Sequence, residues 1–236
     1  TGSNADLYLI NPAGLLFGLN ARLDLGGSFT ATTATHPGNR SQWIDMLSAS
    51  DYASLVTATT HFGFSQPGRI VNQGHLAVSD GHSLRLLAPQ VTNSGSLSAP
   101  AGEVTLFAPP LGHTITLGQT DGVLQLELTA GFLNMNNGPA ALITGGNLHH
   151  SDTLEVSTDG TTALVNRADP LETPSWLSNL NNTGDISTWD GGEINLLGHT
   201  LDISGGTLDA SGSSGGGSIR IGGDYQGVRK SVVQGQ

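Results

Sequence analysis

Several groups of residues in this sequence are of types that could do chemistry. Asp202 and Asp209 lie on neighbouring short runs, Leu201-Asp202-Ile203 and Leu208-Asp209-Ala210. Glycoside hydrolysis would need two such carboxyl groups about 5 to 10 Å apart, one acting as acid and the other as base or nucleophile. Nothing in the spacing marks these two as a pair, and an Asp at a strand edge more commonly caps a turn, so no catalytic residue is assigned. His149-His150-Ser151-Asp152 contains metal-ligating types. Consecutive side chains on a strand point to opposite faces, however, so a solvated turn fits better and no metal ligand is assigned. Gly222-Gly223-Asp224 is an isolated piece of a calcium-binding nonapeptide without its repeat. No Gly-Lys-Ser or Gly-Lys-Thr is present to cradle a phosphate, and no Ser sits in a nucleophile elbow, so no cofactor is expected. Trp43, Trp176 and Trp189 could stack on sugar rings, although packing beneath loops is the simpler reading for each. The threonine-rich spots at Thr30, Thr32 and Thr33 and at Thr57, Thr59 and Thr60 do not recur at a fixed period, as an ice-binding array would require. Asn39-Arg40-Ser41 and Asn181-Asn182-Thr183 are formal glycosylation sequons of a kind that arises often by chance.

Whatever these residues do, the elements that carry them are built from an unusual composition. The 236-residue chain has 34 glycines, far above the roughly 7% of average usage, with only 11% charged and 5% aromatic residues. Ser, Thr, Asn and Gly replace the usual charged surface, which suits a β-rich extracellular protein whose turns need residues tolerant of left-handed angles. Hydrophobic residues still make up 36% and recur in short patterned runs, so the chain is not disordered. The net charge is −11, from 8 Lys and Arg against 19 Asp and Glu, and no basic cluster occurs. Nucleic acid and anionic lipid surfaces are therefore unexpected partners. The absence of cysteine removes disulfides, thiol catalysis and Cys-ligated metals. No run of about 18 apolar residues is present, so no membrane-embedded helix is expected. The opening residues lack the charged and apolar regions of a signal peptide, so an export signal, if the chain is exported, is expected upstream or already removed.

Internal repetition supplies the architecture. Ile70-Val71-Asn72-Gln73-Gly74-His75-Leu76 aligns with Val91-Thr92-Asn93-Ser94-Gly95-Ser96-Leu97, 21 residues on. After a slip of one residue, Ser83-Leu84-Arg85-Leu86 aligns with Glu103-Val104-Thr105-Leu106, and Ala88-Pro89 with Ala108-Pro109. Near the C-terminus, Gly191-Gly192-Glu193-Ile194-Asn195-Leu196 is echoed 25 residues later by Gly216-Gly217-Ser218-Ile219-Arg220-Ile221. These short runs alternate apolar with polar, the signature of strands with one buried face. A repeat of this length with several tiny strands is the coil of a β-solenoid, in which each coil covers the apolar side chains of the next. Gly74, Gly81, Gly95, Gly102, Gly206 and Gly212 take corner positions where positive φ is expected.

Two segments interrupt the pattern. Over residues 39–59, Trp43, Ile44, Met46, Leu47, Tyr52 and Leu55 have near-helical spacing, predicting a short helical or irregular excursion. Residues 166–184, with Pro170, Pro174 and the polar stretch Asn179 to Thr183, read as a loop or junction. That sets residues 1–165 as one unit and 185–236 as further coils; the Ser211 to Gly217 run reads as a wide turn within the stack.

The run Asn4 to Ala34 contains Asn11, Pro12, Gly14, Phe17 and Gly18, followed by Gly26 to Ala31. It resembles the Asn-Pro segment and the following Gly-Gly-Ser-Phe strand of the filamentous haemagglutinin type of two-partner secretion (TPS) domain. Ala13 and Leu15 depart from that pattern, where asparagine and a β-branched residue are usual. The resemblance runs more loosely through Ser54-Leu55-Val56, Phe62-Gly63-Phe64 and Ala99 to Gly102. It returns at Asp209 to Gly227, which is similar to the glycine-rich run of large haemagglutinin-like bacterial exoproteins. It implies a right-handed parallel β-helix. The family's first conserved segment is not found, so residues 1–165 are expected to be the later part of the secretion domain and residues 185–236 the first coils of an adhesin shaft.

The same resemblance implies export through the periplasm to the bacterial cell surface by an outer-membrane transporter with periplasmic recognition domains. Adhesion to host or neighbouring-cell glycans or proteins, or aggregation, would follow. Asn11, Pro12 and Gly14 are the candidate transporter-recognition residues, beside a simpler reading as a tight turn between strands. A self-associating fibre subunit and a β-helix polysaccharide-degrading enzyme are the alternative functions. The ligand-contacting surface is not identifiable from sequence.

Overall fold

The computed structural model describes residues 5–39, 42–46, 60–120, 123–130, 153–156, 162–165 and 178–222. Three parallel sheets run along a column. Sheet A stacks β1 (Leu7–Ile10), β4 (Phe29–Thr32), β10 (Ser83–Leu87), β13 (Glu103–Ala108), β20 (Glu193–Gly198) and β23 (Ser218–Ile221). Sheet B stacks β2 (Leu15–Phe17), β8 (Arg69–Asn72), β11 (Gln90–Asn93), β18 (Asn179–Asn182) and β21 (Thr200–Ile203). Sheet C stacks β3 (Arg22–Leu25), β9 (His75–Val78), β12 (Ser96–Ser98), β19 (Asp185–Ser187) and β22 (Leu208–Asp209). Each coil contributes one strand to A, then B, then C, which is a parallel β-helix.

Period-two alternation dictates this arrangement. Along sheet A, Phe29, Leu84, Val104 and Ile194 stack inward in register and are at most 1% exposed. Leu76, Leu97 and Ile186 also stack inward in register in sheet C, and Ile70, Val91 and Leu180 in sheet B, none of them more than 2% exposed. No coil could bury these residues alone, and each fully buried Leu or Ile contributes roughly 1.5–3 kcal/mol. The register matches the sequence repeats, including the one-residue slip: Val91 lies on Ile70, Leu97 on Leu76, and Glu103 on Ser83. At the far end Ile219 lies on Ile194, as the second repeat predicts.

The corner glycines answer two physical demands, and Gly206 meets both, since a Cβ on it would overlap the Gly184 carbonyl. Gly81 and Gly206 have φ of +76° and +71°, the left-handed angles expected. Gly74, Gly95, Gly102 and Gly212 do not; they are there because neighbouring backbone approaches too closely for a side chain. A Cβ on Gly95 would overlap the Gly74 carbonyl and lie 2.7 Å from the Gln73 carbonyl carbon.

Two long segments leave the column, both between sheet A and sheet B. The first follows β4 and includes β5 (His36–Asn39), β6 (Gln42–Trp43) and β7 (His61–Gly63). The second follows β13 and includes β14 (His113–Thr120), β15 (Val123–Ala130) and the hairpin of β16 (Thr153–Val156) with β17 (Thr162–Val165). They meet across the intervening coil. β14 pairs antiparallel with β7, giving sheet D in the order β15-β14-β7-β5-β6. Sheet D packs Phe62, Phe64 and Ile115 against Leu87 and Phe107, which point outward from sheet A and form a second apolar cluster.

The excursion near residues 39–59 therefore exists. At Gln42–Trp43 it is a strand paired with β5, not a helix, because it finds a sheet edge to extend. Leu47, Tyr52 and Leu55 lie outside the described residues. Within the segment read as loop or junction, Asn179–Asn182 is strand β18, paired on both sides within sheet B by β11 and β21, and residues 166–177 lie outside the described residues.

Candidate functional site

The Asn11 to Gly14 segment turns the chain from β1 in sheet A to β2 in sheet B. Three hydrogen bonds close it locally and a fourth ties it to the next coil. Asn11 Nδ2 donates to the Gly14 carbonyl at 2.9 Å, and Asn11 Oδ1 accepts from the Ala13 amide at 3.2 Å. The Gly14 amide donates to the Asn11 carbonyl at 3.0 Å, and the Asn11 amide donates to the Thr32 carbonyl of the next coil at 3.0 Å. Gly14 has φ of +117°, and a Cβ there would meet the Arg69 carbonyl oxygen at 3.0 Å, so both angle and space select glycine. Pro12 presets its own φ and gives up an amide that the turn does not use. Asn11 and Ala13 are exposed, while Pro12 and Gly14 are half-buried.

Beside this rigid turn the first coil displays apolar side chains. Leu16 is 71% exposed on the outer face of sheet B and Leu19 is 75% exposed at the following corner. Tyr8 projects from β1 in the outward row that also holds Thr30 and Arg85. Burial raises its phenol above the usual value, opposed by the Arg85 charge and reinforced slightly by Asp6.

The other sequence candidates do not converge. Asp202 sits in sheet B within 3.4 Å of the Asn181 amide nitrogen, whereas Asp209 sits in sheet C. Asp209 accepts from the hydroxyl of Ser211, at 2.6 Å, and from its amide; these bonds hold its carboxyl below the ordinary Asp value. It is a turn cap. His149, His150, Asp152 and Trp176 lie outside the described residues, as do Arg40 and Ser41 of the first sequon. Trp43 and Trp189 are 40% and 48% exposed, so the expectation that they pack beneath loops does not hold. Trp43 stands edge-on to His61 with ring centroids 5.6 Å apart, and Trp189 occupies the corner between sheets C and A, where its carbonyl accepts from the Ala101 amide. Among the described residues no three His, Asp or Glu side chains are grouped as a metal site would need.

Sequence reasoning missed one pairing of carboxylates. Glu103 and Glu193 are register partners on adjacent sheet A strands. Arg85 donates to Glu103 at 3.0 Å, and Arg220 donates to Glu193 at 2.6 and 3.3 Å. Thr105 also donates to Glu103, and Asn195 donates to Thr105 at 3.3 Å. Each carboxylate is thus tied to its own guanidinium, which makes the network a clamp between coils rather than an acid and base pair awaiting substrate. Both glutamates open an alternating run after a glycine, but each aligned with a serine in its own repeat, and 90 residues separate them.

A family model described as the TPS secretion domain matches residues 1–188. No curated protein and no solved structure matches the chain.

Proposed function

Because this chain belongs to the TPS secretion domain family, we propose that its exposed Asn11 to Gly14 turn is where the outer-membrane transporter first engages it. Proteins of this family are secreted through such a transporter to the cell surface, so the chain is part of a two-partner-secreted exoprotein. The observation that carries the proposal is the turn itself: it is held by its own side chain and by the next coil, while Asn11 and Ala13 still face solvent. A preorganised, exposed backbone feature is what a recognition domain can bind without paying to order it. The neighbouring Leu16 and Leu19 supply apolar contact area.

Once exported, the protein acts in adhesion or aggregation without catalysis. The polar, sparsely charged column offers host or neighbouring-cell glycans and proteins an extended surface. The paired Glu103 and Glu193 are neutralised by arginines, which favours this reading over polysaccharide cleavage. Residues 185–236 would begin the adhesin shaft, in which β19 to β23 continue sheets A, B and C.

The test is binding of the purified chain to the immobilised periplasmic region of the transporter encoded beside its gene. The native chain is compared with Pro12→Ala, which keeps the Asn11 hydrogen bonds, and with the double variant Asn11→Ala and Pro12→Ala. Weaker binding by the variants at unchanged melting temperature supports the turn as the contact. Equal binding by all three moves recognition elsewhere, and no binding by the native chain sinks the reading.

A further inference from the structure

The outer face of sheet C carries exposed charged residues at its two ends and small side chains between them. Register places Arg22, His75, Ser96 and Asp185 in one outward row across β3, β9, β12 and β19. A second row holds Asp24, Ala77, Ser98 and Ser187, followed by Asp209. Arg22, Asp24, His75 and Asp185 are exposed, and the serines and Ala77 between them are half-buried and small. His75 Nδ1 and Ser96 Oγ lie 2.5 Å apart, which fixes the middle of the first row. Positive charge sits at one end of that row and negative charge at the other.

We propose that this face is a self-association surface, on which a second copy of the chain packs with its column antiparallel. A two-fold axis along the strands, midway between β9 and β12, sets the rows face to face. Arg22 then lies opposite Asp185 of the second copy, and Asp24 opposite Ser187. His75 lies opposite Ser96, and Ala77 opposite Ser98. Every contact occurs twice, as an isologous interface requires. Asp209 falls outside the overlap. Turning the second copy about the column axis instead sets Arg22 on Asp24 but brings Asp185 beside Asp209 of the other copy, which is the worse electrostatic match.

Four strands by three residues is a patch of roughly 14 by 7 Å, so one contact is weak and the net charge of −11 opposes it. Many copies on two surfaces would compensate by avidity. The pairing rests on the aggregation part of the proposed function and not on the transporter contact, since the Asn11 turn joins sheets A and B and contributes no residue to sheet C.

Sedimentation velocity of the purified chain, from micromolar to millimolar concentration at low salt, tests the proposal. The native chain is expected to self-associate. Arg22→Asp and Asp185→Arg should each weaken self-association by about tenfold or more, and an equal mixture of the two should recover it, because each variant then supplies what the other lacks. Asp185 Oδ1 accepts from the Thr207 amide at 2.8 Å, so Asp185→Asn, which keeps an acceptor there and removes only the charge, is the control if the reversal unfolds the corner. It should also weaken association. A native chain that stays monomeric throughout overturns the proposal. So does an Asp185→Arg variant that associates like the native chain, or a mixture that fails to recover.

Discussion

Replacing Asn93 by Val tests whether the buried amides at the corner between sheets B and C act as one unit. Asn72, Asn93 and Asn182 occupy the same position in successive sheet B strands and are fully buried. Asn72 Nδ2 donates to Asn93 Oδ1 at 2.8 Å, and Asn93 Nδ2 donates to Asn182 Oδ1 at 2.7 Å. The outer members hold the corner backbone: Asn72 Oδ1 accepts from the Gly74 amide at 3.1 Å, and Asn182 Nδ2 donates to the Gly184 carbonyl at 3.0 Å. Losing the middle amide leaves Asn182 Oδ1 without a donor and Asn72 Nδ2 with only a 3.4 Å contact to the Gly74 carbonyl. Each stranded group costs about 1–3 kcal/mol, so the single substitution should cost about 2–6 kcal/mol, a large share of a typical domain's 5–15 kcal/mol. The flanking coils place Phe17 and Ile203 at this position, so the stack accepts apolar residues there. Replacing all three asparagines by Val strands no side-chain amide and should cost far less than three times the single change. Urea unfolding followed by circular dichroism measures both variants. A cost below about 1 kcal/mol for Asn93→Val, or a triple variant at three times the single or more, would refute the argument that the amides satisfy one another.

Three further outcomes are expected. Gly95→Ala should lower stability by more than the roughly 1 kcal/mol typical of point substitutions, because its Cβ overlaps the coil beneath; Gly18→Ala, where a Cβ meets nothing within 4 Å, should be near neutral in thermal melts. Arg85→Met should destabilise by about 1–3 kcal/mol in urea unfolding, since it leaves the half-buried Glu103 with the Thr105 hydroxyl but without its cation, and by more than Arg220→Met, whose pair is more exposed. Burial holds the His36 imidazole below its ordinary value of 6.5, with Asp45 opposing. The folded state therefore binds that proton less readily than the unfolded chain. Its contribution is complete above the ordinary value and is lost as pH falls below it, so His36→Gln should flatten the stability profile between pH 7 and 5 in melting-temperature scans.

Much of the column was legible because its determinants are local. Alternating Leu, Ile and Val in runs such as Ser83 to Leu86 commit each strand to one buried face, and the 21-residue repeat carries its own register, since slipping a strand by one residue would expose that face. The same repeat already aligned Asn72 with Asn93. The turn at Asn11 could be read from proline, glycine and a self-capping amide, all of which act within four residues. Long-range partnership was not legible. Asn182 stood in a stretch that reads as a loop, because polar Asn-Leu-Asn-Asn signals a strand only when Asn93 lies beneath it to take its hydrogen bonds. Glu103 and Glu193 met because an inserted segment returned to the column in register, an outcome set by closure of the whole coil. The near-helical spacing around Trp43 became a strand because β5 offered an unpaired edge there.

What the sequence by itself determined is the coil: its length, its inward residues and where it can bend, since these depend on neighbours a few bonds away or one repeat away. The tertiary structure alone decided that two insertions leave the same corner and join as sheet D over Leu87 and Phe107, and that Arg22 and Asp185 end one exposed row. Those arrangements arise from stacking coils whose separation along the chain carries no period to read.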